Sequence, residues 1–377
     1  MRIAHILTRA DSIGGAQVHV RDLASALTAL GHEVVVIAGG RGSFLDRLEQ
    51  RGIPYQALRH LAHPISPIRD WRALWEIRAA LKRWRPDLVC THSSKAGFLG
   101  RVAARSLGVP AVFTAHSWSF SDGIPFHRVA IYHRLERLAS RFSSRIINVS
   151  ESDRQLAMRY NVCPADKLVT VHNGMPDVNG RLRSQPARHP PRLIMVARFQ
   201  EPKDHPTLLE ALSGLRQYPW LLDLVGNGPL EPQTERLTGQ LGLADRVSFL
   251  GERQDVSERL ATSDIFVLIS KWEGLPCSVL EAMRAGLPVI ASDVGGVCEC
   301  VLDRNTGFLV PRGDVLAVRD RLGRLIGDPA LRVRMGTAGR RRYQESFTFE
   351  RMLNQTLTVY HEALDAHERR VGGAAPT

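Results

Sequence analysis

The chain has 377 residues, with 44% apolar and 23% charged residues, an ordinary globular composition in a chain longer than one compact core usually holds. That make-up excludes wholesale disorder, and no apolar run approaches the ~20 residues that span a bilayer. The net charge is +12, of which +10 falls in residues 1–180 and +2 in residues 181–377, so the first half favours an anionic partner: a membrane leaflet, a phosphorylated ligand or nucleic acid.

Only five of the 50 basic residues are lysine, and solvated arginines in an Arg-rich chain give the same excess. At the start, a polar Thr8-Arg9-Ala10-Asp11 stretch follows the first seven residues, too soon for a signal-peptide core. Five cysteines (Cys90, Cys163, Cys277, Cys298, Cys300) are an odd number without CxxC spacing. A reducing cytoplasm is expected, with neither a disulfide framework nor structural zinc.

Short β-branched runs alternate with helical patterns, the signature of βαβ units and parallel sheets. Residues 2–7, 33–38, 88–91, 111–115 and 145–149 read as buried strands of a first domain. The helical spacing of Val20, Leu23, Ala24, Leu27 and Leu30 stops at Gly31, a common helix-ending residue. Residues 192–196, 221–225, 247–250, 265–269 and 288–291 repeat the strand pattern, with a helix at 278–285. Pro, Gly and charge without periodicity mark 177–191 as a linker. The expected domains are 1–176, 192–348, a C-terminal helix at 349–370 packing back toward the first domain, and a tail at 371–377. Two such halves would face each other across a cleft lined by the loops after the strands, where open parallel sheets bind ligands.

The densest chemical signal is the run from Ser270 to Met283, which leaves a strand and enters a helix. Glu273 lies in the loop and Glu281, eight residues on, about one turn inside the helix. A helix N-terminus favours phosphate, whereas two carboxylates repel it unless they face hydroxyls. Carboxylates accept hydroxyl hydrogens well, so a nucleotide-sugar fits the pattern. A capping Glu273 and a solvated Glu281 would give the same spacing.

The glutamates around Gly274-Leu275-Pro276, followed by Glu281-Ala282-Met283 and Ala285-Gly286-Leu287-Pro288, resemble the signature of retaining glycosyltransferases with the GT-B fold, of the family 4 type that includes sucrose synthase-like and bacterial polysaccharide enzymes. The resemblance covers nearly the whole chain. It takes in Gly14-Gly15-Ala16-Gln17, Val171-His172-Asn173-Gly174, Val196-Ala197-Arg198-Phe199 with Lys203-Asp204, Gly226-Asn227-Gly228, Val247–Gly251 and Asp293-Val294-Gly295-Gly296.

The resemblance implies an α/β chain of two Rossmann-like domains and a role for each matching residue. Glu281 binds the donor ribose, and Glu273 touches the transferred sugar near the reacting carbon. Arg198 and Lys203 hold the diphosphate and neutralise the leaving group, a task that matters most in the transition state. Gly14 and Gly15 bring backbone close to the donor phosphate, for which a residue without a side chain is suited. His116 stands beside the donor sugar as a second catalytic candidate. Pro276 replaces the glycine of many relatives and has no N–H, which shifts phosphate contacts to Cys277 and Ser278. No Asp-x-Asp motif is present, and neither metal nor other cofactor is implied, since Arg198, Lys203 and the helix N-terminus would do a metal's work.

On the acceptor side, the loop from Thr91 to Gly97 offers His92 and Lys95, the lysine as a contact for a lipid diphosphate or as a solvated side chain. Residues 69–85 combine Trp71, Leu74, Trp75, Leu81 and Trp84 with six basic residues. Arg134, Arg137, Arg141 and Arg145 fall at steps of three, four and four, as on one helical face. Basic amphipathic helices bind anionic interfaces, although Trp71 and Leu74 would equally serve by packing on the sheet.

These readings combine into a metal-independent retaining transferase. It would use a UDP-sugar and a lipid-linked glycan in surface or exopolysaccharide synthesis, in the cytoplasm and peripheral on the inner face of the plasma membrane. The alternatives are another GT-B enzyme such as a sugar-nucleotide epimerase, or a non-catalytic sugar-nucleotide-binding subunit. A dinucleotide oxidoreductase lacks support, because GxGxxG spacing is absent and the second strand runs into Gly39-Gly40 without an acid. No nucleic-acid motif is present.

Overall fold

A computed structural model describes residues 1–11, 13–121 and 126–372. The chain divides into two compact units, Met1–His172 with Met352–Thr377, and Asn173–Arg351.

The first unit is built on seven parallel strands: β1 (Arg2–Leu7), β2 (Glu33–Gly39), β3 (Tyr55–Leu58), β4 (Leu88–His92), β5 (Ala111–Ala115), β6 (Arg145–Asn148) and β7 (Leu168–Thr170). Their order is β3-β2-β1-β4-β5-β6-β7. The central strands are apolar on both faces because helices cover both. Ile6, Val35, Ile37 and Val89 pack with Ile77 and Leu81 of the helix Pro67–Trp84. Phe113, Trp118, Phe120 and Ile146 form a second cluster.

The second unit holds six parallel strands: β8 (Arg192–Val196), β9 (Leu221–Val225), β10 (Val247–Phe249), β11 (Ile265–Leu268), β12 (Val289–Ser292) and β13 (Gly307–Val310), in the order β10-β9-β8-β11-β12-β13. In both sheets the first strand of the unit lies between its second and fourth. Successive crossovers therefore leave in opposite directions at β1/β4 and at β8/β11, and the loops beyond these strand ends part to make room for a ligand.

The central strands occur within about a residue of their expected places. The three unforeseen ones, β3, β7 and β13, are all edge strands. Each has one neighbour and is only three or four residues long, and β3 and β7 have one fully buried residue apiece, so burial imposes little apolar pattern on those two.

Two expectations are corrected. Residues 177–191 are not a free linker but part of the second unit. Arg340 pairs with Asp177 at 2.6 Å, Arg332 Nε donates to the Pro186 carbonyl at 2.8 Å, and the Arg188 amide donates to Asp264 at 3.1 Å. Arg145 does not continue a helical face: the helix Phe126–Ala139 gives way to a 3₁₀ turn at Ser140–Phe142, and Arg145 opens β6. The intervening Ser143 and Ser144 end the helical repeat. The last helix, Phe349–Gly372, belongs to the first unit from Met352 onward, where Tyr360 is buried beside Cys90 and Arg145 pairs with Glu362 at 3.2 Å. The expected tail at 371–377 lies outside the described residues beyond Gly372.

Candidate active site

In the second unit the loops following β8 and β11 are zipped together. Lys203 and Ser270 form an antiparallel bridge, the Lys271 amide donates to Pro202 O at 2.8 Å, and the Asp204 amide donates to Ile269 O at 2.9 Å. This pairing sets the Lys203 ammonium against the Glu273 carboxylate in an ion pair. Both side chains are largely shielded, at 17% and 11% exposure, so the attraction is weakly screened. Two residues expected on adjoining parts of the donor, Lys203 on the diphosphate and Glu273 on the transferred sugar, are direct partners here.

Neighbouring backbone fixes Glu273. Gly295 has φ +54°, and a Cβ there would lie 1.8 Å from the Glu273 carbonyl oxygen. The Gly296 amide donates to Gly274 O at 2.8 Å. Asn173 Nδ2 donates to Leu275 O at 2.8 Å from a buried position, which supplies a structural reason for the Asn173-Gly174 motif. Pro276 is the N-cap of the helix Cys277–Ala285 and offers no side-chain acceptor. The helix His205–Ser213, by contrast, is capped by Asp204. The amides of Cys277 and Ser278 therefore open a first turn with no capping side chain, the arrangement that suits an anion. Glu281 lies half-buried further along this helix.

Arg198 follows β8, also half-buried. Its segment is braced by the next loop: the Phe199 amide donates to Asn227 O at 2.9 Å, and a Cβ on Gly226 would lie 2.1 Å from Ala197 O. Arg198, Lys203 and Glu273 thus all sit at the C-terminal edge of the sheet, around its β8/β11 switch point.

In the first unit the equivalent place, around β1 and β4, holds histidines. His5 lies in β1, His92 ends β4, His116 follows β5, and His19 is on the helix Gly15–Ala29. His5 Nδ1 is 3.1 Å from His92 Nε2, and His92 Nδ1 is 3.1 Å from His116 Nε2. The His19 ring meets that of His116 edge-on with centroids 5.0 Å apart. Burial holds all three of the linked imidazoles neutral. It lowers His5 from 6.5 to about 3 with help from His19, and it lowers His92 and His116 well below 6.5, again reinforced by neighbouring histidines. A neutral His116 can both donate and accept a hydrogen bond, as contact with a sugar hydroxyl requires.

One ring nitrogen from each of His19, His92 and His116 lies within 4.8 Å of the others, a set able to hold a metal ion. Spacing along the chain shows no sign of it, since His19 lies 73 residues before His92, and His116 lies 24 after it. Strand order, not spacing along the chain, assembles the cluster.

Two expected contacts change. Lys95 is not solvated: its ammonium pairs with Asp70 at 2.7 Å and donates to Pro64 O, so a lipid diphosphate would have to displace a carboxylate. Gly14 has φ −134°, ordinary extended backbone, and acts as N-cap of its helix, with its amide donating to Gln17 Oε1 at 3.2 Å. Backbone freedom is not what that position uses. Gly15 is the first helical residue.

Two Rossmann-like parallel-sheet units in one chain define the GT-B class of fold. The family described as "Glycosyl transferases group 1" matches residues 181–342, and the "Glycosyl transferase 4-like domain" matches residues 14–174. The chain is 31% identical over 289 residues to the UDP-Gal:alpha-D-GlcNAc-diphosphoundecaprenol alpha-1,3-galactosyltransferase of Escherichia coli, covering 72% of this chain and 75% of that one. It is 28% identical over 400 residues to the D-inositol 3-phosphate glycosyltransferase of Streptomyces avermitilis, covering 95% and 85%. Among solved structures, sucrose-phosphate synthase from Thermosynechococcus elongatus superposes with a TM-score of 0.83 at 23% identity, covering 97% of this chain and all of that one. HepE of Anabaena, solved with UDP and glucose, superposes with a TM-score of 0.80 at 21% identity, covering 96% and 99%. The chain belongs to the family 4 type of GT-B glycosyltransferases, which act on nucleotide-sugars.

Proposed function

We propose that the protein moves a hexose-type unit from a UDP-sugar, with retention of configuration, to a lipid-linked glycan acceptor in surface or exopolysaccharide synthesis. The observation that carries the donor half is the shielded Lys203–Glu273 pair at the β8/β11 switch point. An ammonium and a carboxylate held side by side support a role for Lys203 toward a diphosphate and for Glu273 toward sugar hydroxyls. As the bond from the anomeric carbon to the diphosphate breaks, its electron pair stays on the departing UDP. Arg198, Lys203 and the amides of Cys277 and Ser278 stabilise that growing charge, so transfer needs no divalent metal. The acceptor oxygen forms the new bond to the same carbon, and its proton passes to a phosphate oxygen of the departing UDP. Glu281 holds the ribose hydroxyls and His116 a hydroxyl of the donor sugar.

The acceptor half draws support from the Escherichia coli relative, whose name specifies a diphosphoundecaprenol-linked acceptor, and from the surface of the first unit. On the helix Pro67–Trp84, Ala73, Ile77, Ala80 and Leu81 face the core, whereas Ile68, Trp71 and Trp75 form an exposed stripe at i, i+3 and i+7. Leu74 packs inward as a sheet-covering residue should, but Trp71 is 60% exposed. Ile131, Leu135 and Leu138 are likewise exposed on the helix Phe126–Ala139. Apolar side chains beside Arg69, Arg72 and Arg78 suit an anionic interface. No helix among the described residues is long and apolar enough to cross a membrane. We therefore place the protein peripherally on the inner, cytoplasmic face of the plasma membrane.

The test is a thermal-shift panel of UDP, GDP and their sugars, followed by transfer from the stabilising donor to an undecaprenyl-diphosphate-linked sugar. Stabilisation by UDP compounds and product formation support the proposal. Binding without transfer or donor hydrolysis would favour a non-catalytic subunit, and transfer to free inositol phosphate alone would overturn the lipid-linked acceptor.

A further inference from the structure

We propose that His19, His92 and His116 form a binding site in the first unit for a borderline transition-metal ion, Zn²⁺ foremost, which competes with the sugar for His116. Two nitrogens bound at 2.0–2.1 Å in a tetrahedral array stand about 3.3 Å apart, and His92 Nδ1 and His116 Nε2 are already 3.1 Å apart. His19 joins them in a cluster in which one ring nitrogen from each of the three residues lies within 4.8 Å of the others. Its side chain is half-buried near a helix start, where a small rotation closes the set.

The surroundings match what such ligands require. A metal-bound imidazole usually hands its other nitrogen to a partner that fixes its tautomer. When His92 binds through Nδ1, its Nε2–H donates to His5 Nδ1, 3.1 Å away and fully buried. His5 then carries its proton on Nε2, a buried atom with no hydrogen-bond partner among the described residues. For His116 to bind as well, the proton lying between His92 Nδ1 and His116 Nε2 moves to His116 Nδ1. Three imidazoles without carboxylate or thiolate favour Zn²⁺, Cu²⁺, Ni²⁺ or Co²⁺ over Mg²⁺ or Ca²⁺. Three protein ligands leave a fourth position for water or a substrate oxygen.

The competition rests on the role given to His116 above; the binding does not. The experiment uses tag-free full-length protein, titrated with Co²⁺ and followed by its tetrahedral d–d absorption, with Zn²⁺ titrated by calorimetry. One ion per chain is expected, with bound Co²⁺ displaced from the site by Zn²⁺ and affinity reduced at least tenfold in both His19→Ala and His116→Ala. Failure of either metal to bind stoichiometrically, or binding that neither substitution weakens, would overturn the site. If transfer is measurable, Zn²⁺ should inhibit the wild type and be relieved by excess nucleotide-sugar. Binding without inhibition would overturn the competition and leave the site standing. Absence of transfer with every donor would count against the proposed function while the cobalt spectrum still reports the site.

Discussion

The ammonium of Lys203 rests against the carboxylate of Glu273, across loops that leave two adjacent strands of the second unit. On the roles proposed above, a diphosphate would meet a lysine already partnered, and drawing the ammonium away would free Glu273 for the sugar hydroxyls, coupling recognition of the diphosphate to that of the adjoining sugar.

This coupling separates the two glutamates. Glu273→Gln should retain UDP affinity within a few-fold and lower kcat by about 100-fold, as for loss of a group acting in the transition state. Glu281→Ala should raise the donor Kd about tenfold or more, the cost of ~1.4 kcal/mol or above in hydroxyl contacts. Isothermal titration with UDP alongside steady-state kinetics measures both, and wild-type activity in either variant would contradict the assigned roles.

Gly295 is a support whose loss should be felt at Glu273. With φ +54° and a Cβ position 1.8 Å from the Glu273 carbonyl oxygen, Gly295→Ala must push the glutamate loop aside. The expected destabilisation is about 2 kcal/mol or more, with loss of transfer beyond what the lowered folded fraction explains. Urea unfolding paired with kinetics on the folded protein tests this.

His205 gives the second unit a pH dependence. It is stacked on Phe199 with centroids 4.3 Å apart and buried; burial, aided by Lys203, lowers it from 6.5 to about 4. Below pH 6.5 the unfolded chain takes up a proton that the folded chain refuses until near pH 4, so stability falls as pH drops through that window. The slope from this histidine is at most about 1.4 kcal/mol per pH unit. His205→Phe should flatten the dependence of the urea midpoint between pH 6.5 and 4.5; an unchanged slope would assign it elsewhere.

The exposed tryptophans predict a membrane effect independent of chemistry. Trp71→Ser with Trp75→Ser should cut flotation with anionic liposomes at least about tenfold, since each ring brings a large apolar area to the interface. Thermal stability should shift little, because both rings are more than half exposed. Absence of wild-type flotation at low salt would remove the membrane proposal.

The sequence by itself determined the two parallel sheets and where their central strands fall along the chain. Strands covered on both faces are predominantly apolar, with buried His5 in β1 and His92 in β4 among the exceptions, and that requirement writes itself into such segments. It also determined the donor-side motif, because Glu273, Pro276 and Glu281 lie within one loop and helix. What depends on distant segments was decided by tertiary structure alone. The Lys203–Glu273 pair spans 70 residues, and the histidine cluster requires β1, β4 and β5 to lie side by side. Which tryptophans are covered and which are bare follows from how the helix Pro67–Trp84 seats on its sheet. The edge strands β3 and β7 were illegible for the complementary reason: with one neighbour each and a single fully buried residue, they leave too little apolar pattern.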